Sequence, residues 1–453
     1  MNDHSTWPAT GCPVGVLFVF ACTARVPGAL NTDIRAVVAP SMPTVVHVIW
    51  TSDAPTIGHV EVSDGVPQPP AEAQPTVDHD IRVLGLHAET AYELTAFEDD
   101  GSGPGVVGTI RADTGALDPA ILPFTVVTPV TGEGTPAYFL TSAMTFNGDG
   151  YSSNVWVVDR EGIPVWGTTV QDLFPMFPVW NPGLGVRALD TDFVDYGNSR
   201  LDTWTLDGDL TSVAMPGAHH ESLWLDDGTL VYTRTESREV DGTLLGGDQL
   251  IEQAPDGYET TVWDAFEDYP ITHNRGWEGT KLADGAADWT HANGIEYIEA
   301  DNDYLISLYY PESVVRVDRV QGSTEWILGG ADGEFVETPD ATFGPQHSPR
   351  LTPNGILLFD NGDATVGSRL EEITLDVDGR TASLAWQWAP DPMAWNSLLG
   401  HVEPFGSGLV ATWGMAPEVH VYDAARAPAG HLVLSTEGFT GALGAVRGLK
   451  TLY

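Results

Sequence analysis

Four histidines share one local arrangement. His220, His347 and His401 are each followed at the seventh position by a turn residue, Asp227, Asn354 and Gly408, and then by an apolar run such as Gly355–Phe359 or Leu409–Trp413. His291 follows the same plan with its turn a few residues later, ahead of Tyr304–Ser307. A neutral imidazole nitrogen is a nucleophile at neutral pH, and a protonated one is an acid or a charge stabiliser. Gathered histidines therefore suit covalent group transfer, acid–base work, or a Zn, Cu, Fe or Ni ion. Any one of these residues reads equally as a blade-corner cap bonded to backbone. Four in register over successive repeats favour one shared site. The sequence has no His-x-His pair and no His-Glu-x-x-His, so no metal centre and no cofactor are expected.

The elements that must position these residues repeat. Six segments run strand, acidic or glycine turn, strand, often closing on Trp: Asn154 to Trp166, Arg200 to Val213, Gln249 to Trp263, Val314 to Trp326, Arg369 to Trp386 and Glu418 to Leu434. Their turn glycines, Gly162, Gly208, Gly257, Gly322, Gly379 and Gly430, lie 46 to 65 residues apart. That period fits four-stranded propeller blades with loop insertions, and six copies predict six blades over 120–453. The stretch Ala445–Tyr453 is expected to return a strand to the first blade, closing the ring and removing sheet edges. A histidine just before the innermost strand of each blade would then face one mouth of the central channel.

Composition bounds the rest. The 453 residues include Gly 49, Pro 32 and Trp 15 with 42% hydrophobic content, which reads as a turn-rich all-β globular chain. The formal net charge is −45, from 64 Asp+Glu against 19 Lys+Arg, which repels phosphate backbones and anionic lipid and excludes nucleic acid as a partner. Both cysteines, Cys12 and Cys22, fall in the first 22 residues, so the folded body has no disulfide or thiolate metal site. Residues 1–30 read as a leader. Cys12–Ala21 is apolar but shorter than the roughly 20 residues of a membrane span, and Val19-Phe20-Ala21-Cys22 is similar to a bacterial lipoprotein processing site. Export to the periplasm, cell surface or exterior is expected, with Cys22 a candidate lipid anchor and no transmembrane span. Residues 33–115 read as a small β-sandwich with Val45–Trp50 and Gly58–Val62 as short strands. His79–Leu86 followed by Thr90-Ala-Tyr92-Glu-Leu94 resembles the fibronectin type III pattern. His47, His59, His79 and His87 read there as surface or packing residues.

His219-His220-Glu221, Asp288-Trp-Thr-His-Ala-Asn293, Val317-Asp-Arg319 through Glu325-Trp-Ile-Leu-Gly-Gly330, Gln346-His347 and Leu358-Phe-Asp-Asn-Gly362 occur in that order. In these motifs the sequence resembles the bacterial arylsulfate sulfotransferase family over roughly 120–453. The resemblance implies a six-bladed propeller that moves a sulfuryl group from a phenolic sulfate ester to another phenol. It implies no nucleotide donor and a histidine that carries the group covalently. Matched motif by motif, His347 falls at the nucleophile, His291 and Asn293 at the His-x-Asn donors, and His220 at a further channel histidine. Sulfuryl transfer spreads charge over equatorial oxygens and expels an aryloxide, so it needs positioned donors and an acid. Asn293 supplies a donor and protonated His291 or His220 the acid, while Trp289, Tyr309, Tyr310 and Trp413 are candidates to stack on aryl rings. The sequence departs from the family at Ser307-Leu-Tyr309, where Tyr309 stands in place of an arginine. Arg350 is the candidate replacement, and His401 a further substrate contact. The alternative reading is a non-catalytic propeller that binds ligands at a surface.

Overall fold

A computed structural model describes residues 33–63, 66–147, 150–171, 173–192, 195–271, 280–435 and 441–453. The leader, with Cys12 and Cys22, lies outside the described residues. Almost every element is a strand; among the described residues the helical pieces are single turns at Tyr196–Asn198 and Ala265–Asp268.

The first unit pairs Arg35–Ala39, Met42–Val62, Thr76–Val83, Ala91–Asp99 and Pro104–Asp113. Val45–Trp50 and Gly58–Val62, expected as two strands, are halves of one 21-residue strand, Met42–Val62. Its first half pairs with Arg35–Ala39 and Thr76–Val83, its second with Ala91–Asp99. The turn-like Asp53-Ala-Pro55 is absorbed where the register shifts between Thr51 and Thr56, which lets one strand serve both sheets. Val46, Val48, Trp50, Val60, Ile81, Val83 and Leu94 fill the space between them.

The remaining strands form six sheets, each a blade. Blade one is Tyr138–Asn147, Gly150–Asp159 and Pro164–Gln171; blade two is Gly185–Thr191, Arg200–Thr205 and Leu210–Ala214, with Phe174–Pro175 and Val179–Asn181 inside. Blade three is Ala218–Trp224, Leu230–Val240, Thr243–Gln253 and Glu259–Asp264. Blade four is Ala292–Ile298, Asp303–Leu308, Ser313–Asp318 and Thr324–Gly329. Blade five is Gln346–Thr352, Gly355–Asp360, Arg369–Asp376 and Thr381–Trp388; blade six is His401–Phe405, Gly408–Trp413, Glu418–Tyr422 and Pro428–Leu434. The six repeated segments of the sequence are the outer hairpins of these blades.

Both ends of the ring are latched. Gly441–Leu443 and Arg447–Leu449 pair with Tyr138–Asn147 as the inner strand of blade one. Phe124–Thr128 pairs outside Pro428–Leu434 in blade six. Second strands Gly355–Asp360 and Gly408–Trp413 are buried along their whole length, which explains their apolar runs. Trp166, Trp204, Trp263 and Trp326 close the outer strands against neighbouring blades. The apolar strands read as innermost are therefore the second in each blade. The histidines open the innermost strands themselves.

Candidate active site

The inner strands of blades three to six adjoin one another around the channel. At the histidine end, pairing of the first three with their second strands slips, between His219 and Ser222, Ala292 and Gly294, and His347 and Arg350. The slips coincide with left-handed backbone at His220 (φ 58°), His291 (φ 50°) and Ser348 (φ 51°), and Leu399 (φ 61°) lies just ahead of His401. A bulge re-aims a side chain, and left-handed non-glycine residues, which cost on the order of 1–3 kcal/mol each, collect at functional sites. Gly294 permits this packing: a Cβ there would lie 3.0 Å from Pro349 Cδ and 3.1 Å from the Ser348 nitrogen of the next blade.

These bends turn His220, His291 and His347 onto a cavity of about 390 Å³, together with Tyr309 and Tyr310. Ring centroids lie 4.7 Å apart for His220 and His291, 5.6 Å for His291 and Tyr309, and 5.5 Å for Tyr309 and His347. The facing wall is apolar, from Met144, Phe146, Leu398, Leu399, Met415 and Ala442. Tyr309 donates its hydroxyl to the Ser397 carbonyl at 3.0 Å, and burial pushes its phenol up to about 12.

The three imidazoles are held differently. His347 Nδ1 lies 2.7 Å from Asn361 Oδ1, while Asn361 Nδ2 donates to the carbonyls of Asn396 and Leu399. The amide is thereby oriented with its oxygen toward the ring, so His347 Nδ1 carries the proton and Nε2 keeps its lone pair. Burial pushes His347 down to about 3, so the ring is neutral. His220 belongs to a relay: its Nδ1 is 2.7 Å from His219 Nδ1, and His219 Nε2 is 2.9 Å from Asp248 Oδ1. Asp248 also accepts from Thr235, Thr290 and the Ala292 N–H. Burial opposes its charge, but His219 and these donors hold it down at about 2. His219 Nε2–H donates to the carboxylate, His219 Nδ1 accepts from His220 Nδ1–H, and His220 Nε2 is left bare. Burial, then the neighbouring histidines, hold His220 well below the usual histidine range. His291 behaves oppositely. Burial disfavours its charge, but the Asp288 carboxylate 2.7 Å from Nδ1 outweighs it and raises the group. One ring is thus raised beside two that are lowered, an arrangement that separates acid from base or nucleophile.

The other expected residues stand apart from this cavity. Asn293 is fully buried and donates Nδ2 to the Gln346 carbonyl at 2.8 Å, which pins the backbone beside His347. Trp289 packs with Phe266 and Tyr269 in the core between blades three and four, and Trp413 lies in the core between blades five and six. Arg350 is committed to Glu221, 2.7 Å from Oε1, and to the carbonyls of Ile295 and Pro349. Arg447 reaches the same Glu221 oxygen at 2.9 Å and Glu403 at 3.1 Å. His401 joins this layer, with Nδ1 2.6 Å from Ser348 Oγ and Nε2 3.5 Å from Glu403. Burial opposes charge on Glu221, yet Arg350 and Arg447 hold it at about 2. This buried ionic layer is the floor below the histidines. Beyond it a second cavity, about 580 Å³, is lined by Arg350, Arg447, Trp224 and Tyr297.

Residue patterns alone did not assign roles to His219, Asp248, Asp288 or Asn361. Asp288 and Asn361 lie in motifs singled out in the sequence, and an acid three residues before a histidine was a readable signal. Asp248 and the apolar wall come from distant strands and carried none.

No curated protein matches the sequence. Among solved structures the chain is similar to a chain of a nidogen–laminin complex (TM-score 0.41, 11% identity, covering 68% of this chain and 97% of that one). It is also similar to the β-propeller domain of Cps50 (Swd1) from Myceliophteria thermophila (TM-score 0.36, 16% identity, 70% and 90% covered). A third is an auxiliary nutrient binding protein from Bacteroides ovatus (TM-score 0.37, 8% identity, 92% and 90% covered). Residues 135–389, more than half of the chain and all the histidines that line the cavity, match the family Arylsulfotransferase (ASST). The chain belongs to the arylsulfotransferase family.

Proposed function

We propose that this chain transfers a sulfuryl group from a phenolic sulfate ester to a second phenol through a covalent sulfohistidine at His347, with no nucleotide donor. The observation that carries the reading is the Asn361-oriented His347, neutral and with its Nε2 lone pair unengaged among the described residues, on a cavity that also holds His291, which the Asp288 carboxylate raises. In the first half-reaction His347 Nε2 attacks sulfur. The S–O(aryl) bond breaks, its electron pair goes to the aryl oxygen, and His291 Nε2–H supplies the proton. In the second the acceptor phenol gives its proton to His291, its oxygen attacks sulfur, and the N–S pair returns to His347. His220, bare at Nε2 and fixed by His219 and Asp248, serves as a second base. Asn293 and Gln346 position the nucleophile's backbone. The apolar wall suits an aryl ring. No lysine or arginine lines the cavity among the described residues, which argues against a donor carrying phosphates.

The test is intact mass spectrometry after brief exposure to 4-nitrophenyl sulfate. Wild type gains one SO3 and releases nitrophenol, and a second phenol discharges the adduct. His347→Ala shows neither. An adduct that persists in His347→Ala overturns the assignment.

A second reading, a binding module for aromatic ligands, is favoured by Tyr309 in place of the family's arginine. Lys281 lines an adjoining cavity of about 290 Å³ with Asp288 and His291. Ligand-induced stabilisation with no adduct from any aryl sulfate would decide for that reading.

A further inference from the structure

Blade six carries a second histidine cluster, on its outer strands and separate from the channel. Glu418 and His420 lie two residues apart on Glu418–Tyr422, so they share one face of the sheet. His431 on Pro428–Leu434 is the direct cross-strand partner of His420. The two rings stack with centroids 4.2 Å apart and planes 17° from parallel. Both Nε2 atoms lie 3.1 Å from the same Glu418 oxygen, Oε2. All three side chains are partly buried, and the three ligand atoms lie within 4.8 Å of one another.

We propose that Glu418, His420 and His431 form a binding site for a divalent first-row transition ion of the zinc class. Donors about 2.0–2.2 Å from a zinc ion sit roughly 3.0–3.5 Å from each other, and the two N···O separations fall in that range. Two imidazoles and one carboxylate suit Zn, Ni or Cu rather than calcium or magnesium, which prefer all-oxygen shells. Each ring binds through Nε2 after moving its proton to Nδ1, and the carboxylate oxygen that accepts two hydrogen bonds in the metal-free site becomes the third ligand. Trp388 and Trp413, each 5.0 Å from the His420 ring, back the site on one side. Water completes the shell. The position gives the ion a structural consequence: the strand carrying His431 also pairs with Phe124–Thr128, with His431 opposite Thr128. A bound ion therefore braces the outer edge of blade six, where the chain enters the ring.

The full chain, stripped with chelator and dialysed against micromolar Zn2+, is expected to retain an ion that is lost in His431→Gln and Glu418→Gln. Removing an outer-shell partner already weakens metal sites by roughly 10–100-fold, so losing a ligand reduces affinity at least that much. Zn2+ is also expected to raise the melting temperature of wild type and not of the variants. Co2+ substitution gives the coordination number from its visible spectrum. Zinc retained equally by both variants places the ion elsewhere, for instance at the channel histidines, and overturns the proposal, as does no retention by wild type. Glu418→Gln keeps the side-chain volume, so the comparison holds should His431→Gln fold poorly. None of the three residues lines the channel cavity, so the result is independent of the sulfuryl-transfer reading.

Discussion

Three imidazoles share one wall of the cavity and are shifted in different directions, each with a different partner at Nδ1: an amide oxygen for His347, another imidazole for His220, a carboxylate for His291. Changing the partner changes the chemistry in a predictable direction. Asn361→Asp puts a carboxylate beside His347 Nδ1 and favours the imidazolium, so the nucleophile is protonated at low pH. On the proposed route, sulfohistidine formation is expected to show no acid limb in wild type until the pH approaches about 3, and to fall off at a clearly higher pH in the variant. A rate profile for nitrophenol release reads this, and an unchanged profile would mean that Asn361 does not orient the nucleophile. Asp288→Asn works on the acid. His291 is raised by Asp288, so the alkaline limb, where the acid loses its proton, moves to lower pH in the variant. Unlike the apolar wall, the histidines that touch the cavity were legible in the sequence, because they recur at fixed places in a repeat. Their partners were less so: Asn361 and Asp248 are recognisable only once the strands that carry them are side by side. Arg350, expected as a substrate contact, is bonded to Glu221, 129 residues earlier, a pairing that a sequence cannot show.

At the scale of the element, blades two and five repeat a charge device. Asp190 faces Arg200 across the pair of strands and Asp202 lies two residues on; in blade five the same places hold Asp360, Arg369 and Glu371. Arg369 reaches Asp360 at 2.9 Å and Glu371 at 2.7 Å. In each blade two buried carboxyls share one guanidinium. Burial pushes Glu371 up to about 8 against the pull of Arg369, and burial with Asp202 raises Asp190 well above the carboxylate range. A raised carboxyl contributes stability that is complete below its unfolded value, near 4, and is lost as pH rises through the folded value. Melting temperature is therefore expected to fall from pH 6 to 9, and Glu371→Gln to flatten part of that fall. Equal slopes in the two proteins would show that Glu371 is ionised throughout. The outer hairpins were readable because glycine turns and closing Trp residues punctuate them. The innermost strands were not, since bulges and left-handed residues break their apolar pattern just where the site lies.

For the molecule as a whole, the first unit is joined to blades one and two by a continuous core. Met42, Val45 and Leu84 pack with Trp166, Val186 and Trp204. Around it, Arg82 makes two bonds of 2.9 Å to Asp207, His47 lies 3.0 Å from the same carboxylate, and His87 is 2.7 Å from Asp159. His47 is raised because Asp207 and Asp80 outweigh its burial, and His87 chiefly by its bond to Asp159. Their contribution is complete below about 6.5 and is lost as pH rises through the higher folded values. Proteolysis in the 114–123 connection is expected to accelerate from pH 6 to 8 in wild type. In the Asp159→Asn, Asp207→Asn double variant the rate should be high and insensitive to pH. The two latches of the ring have a further consequence, for the order of events during synthesis. Blades two to five use only contiguous chain and can assemble as each emerges. The cavity wall, however, sets Ala442 against Met144, its partner in blade one. Until the segment containing Ala442 has left the ribosome, the pocket has an open side and the first blade lacks its inner strand. A nascent chain that already carries every channel histidine but not yet Gly441–Leu443 therefore has an incomplete pocket, and the wall closes only when that strand reaches blade one.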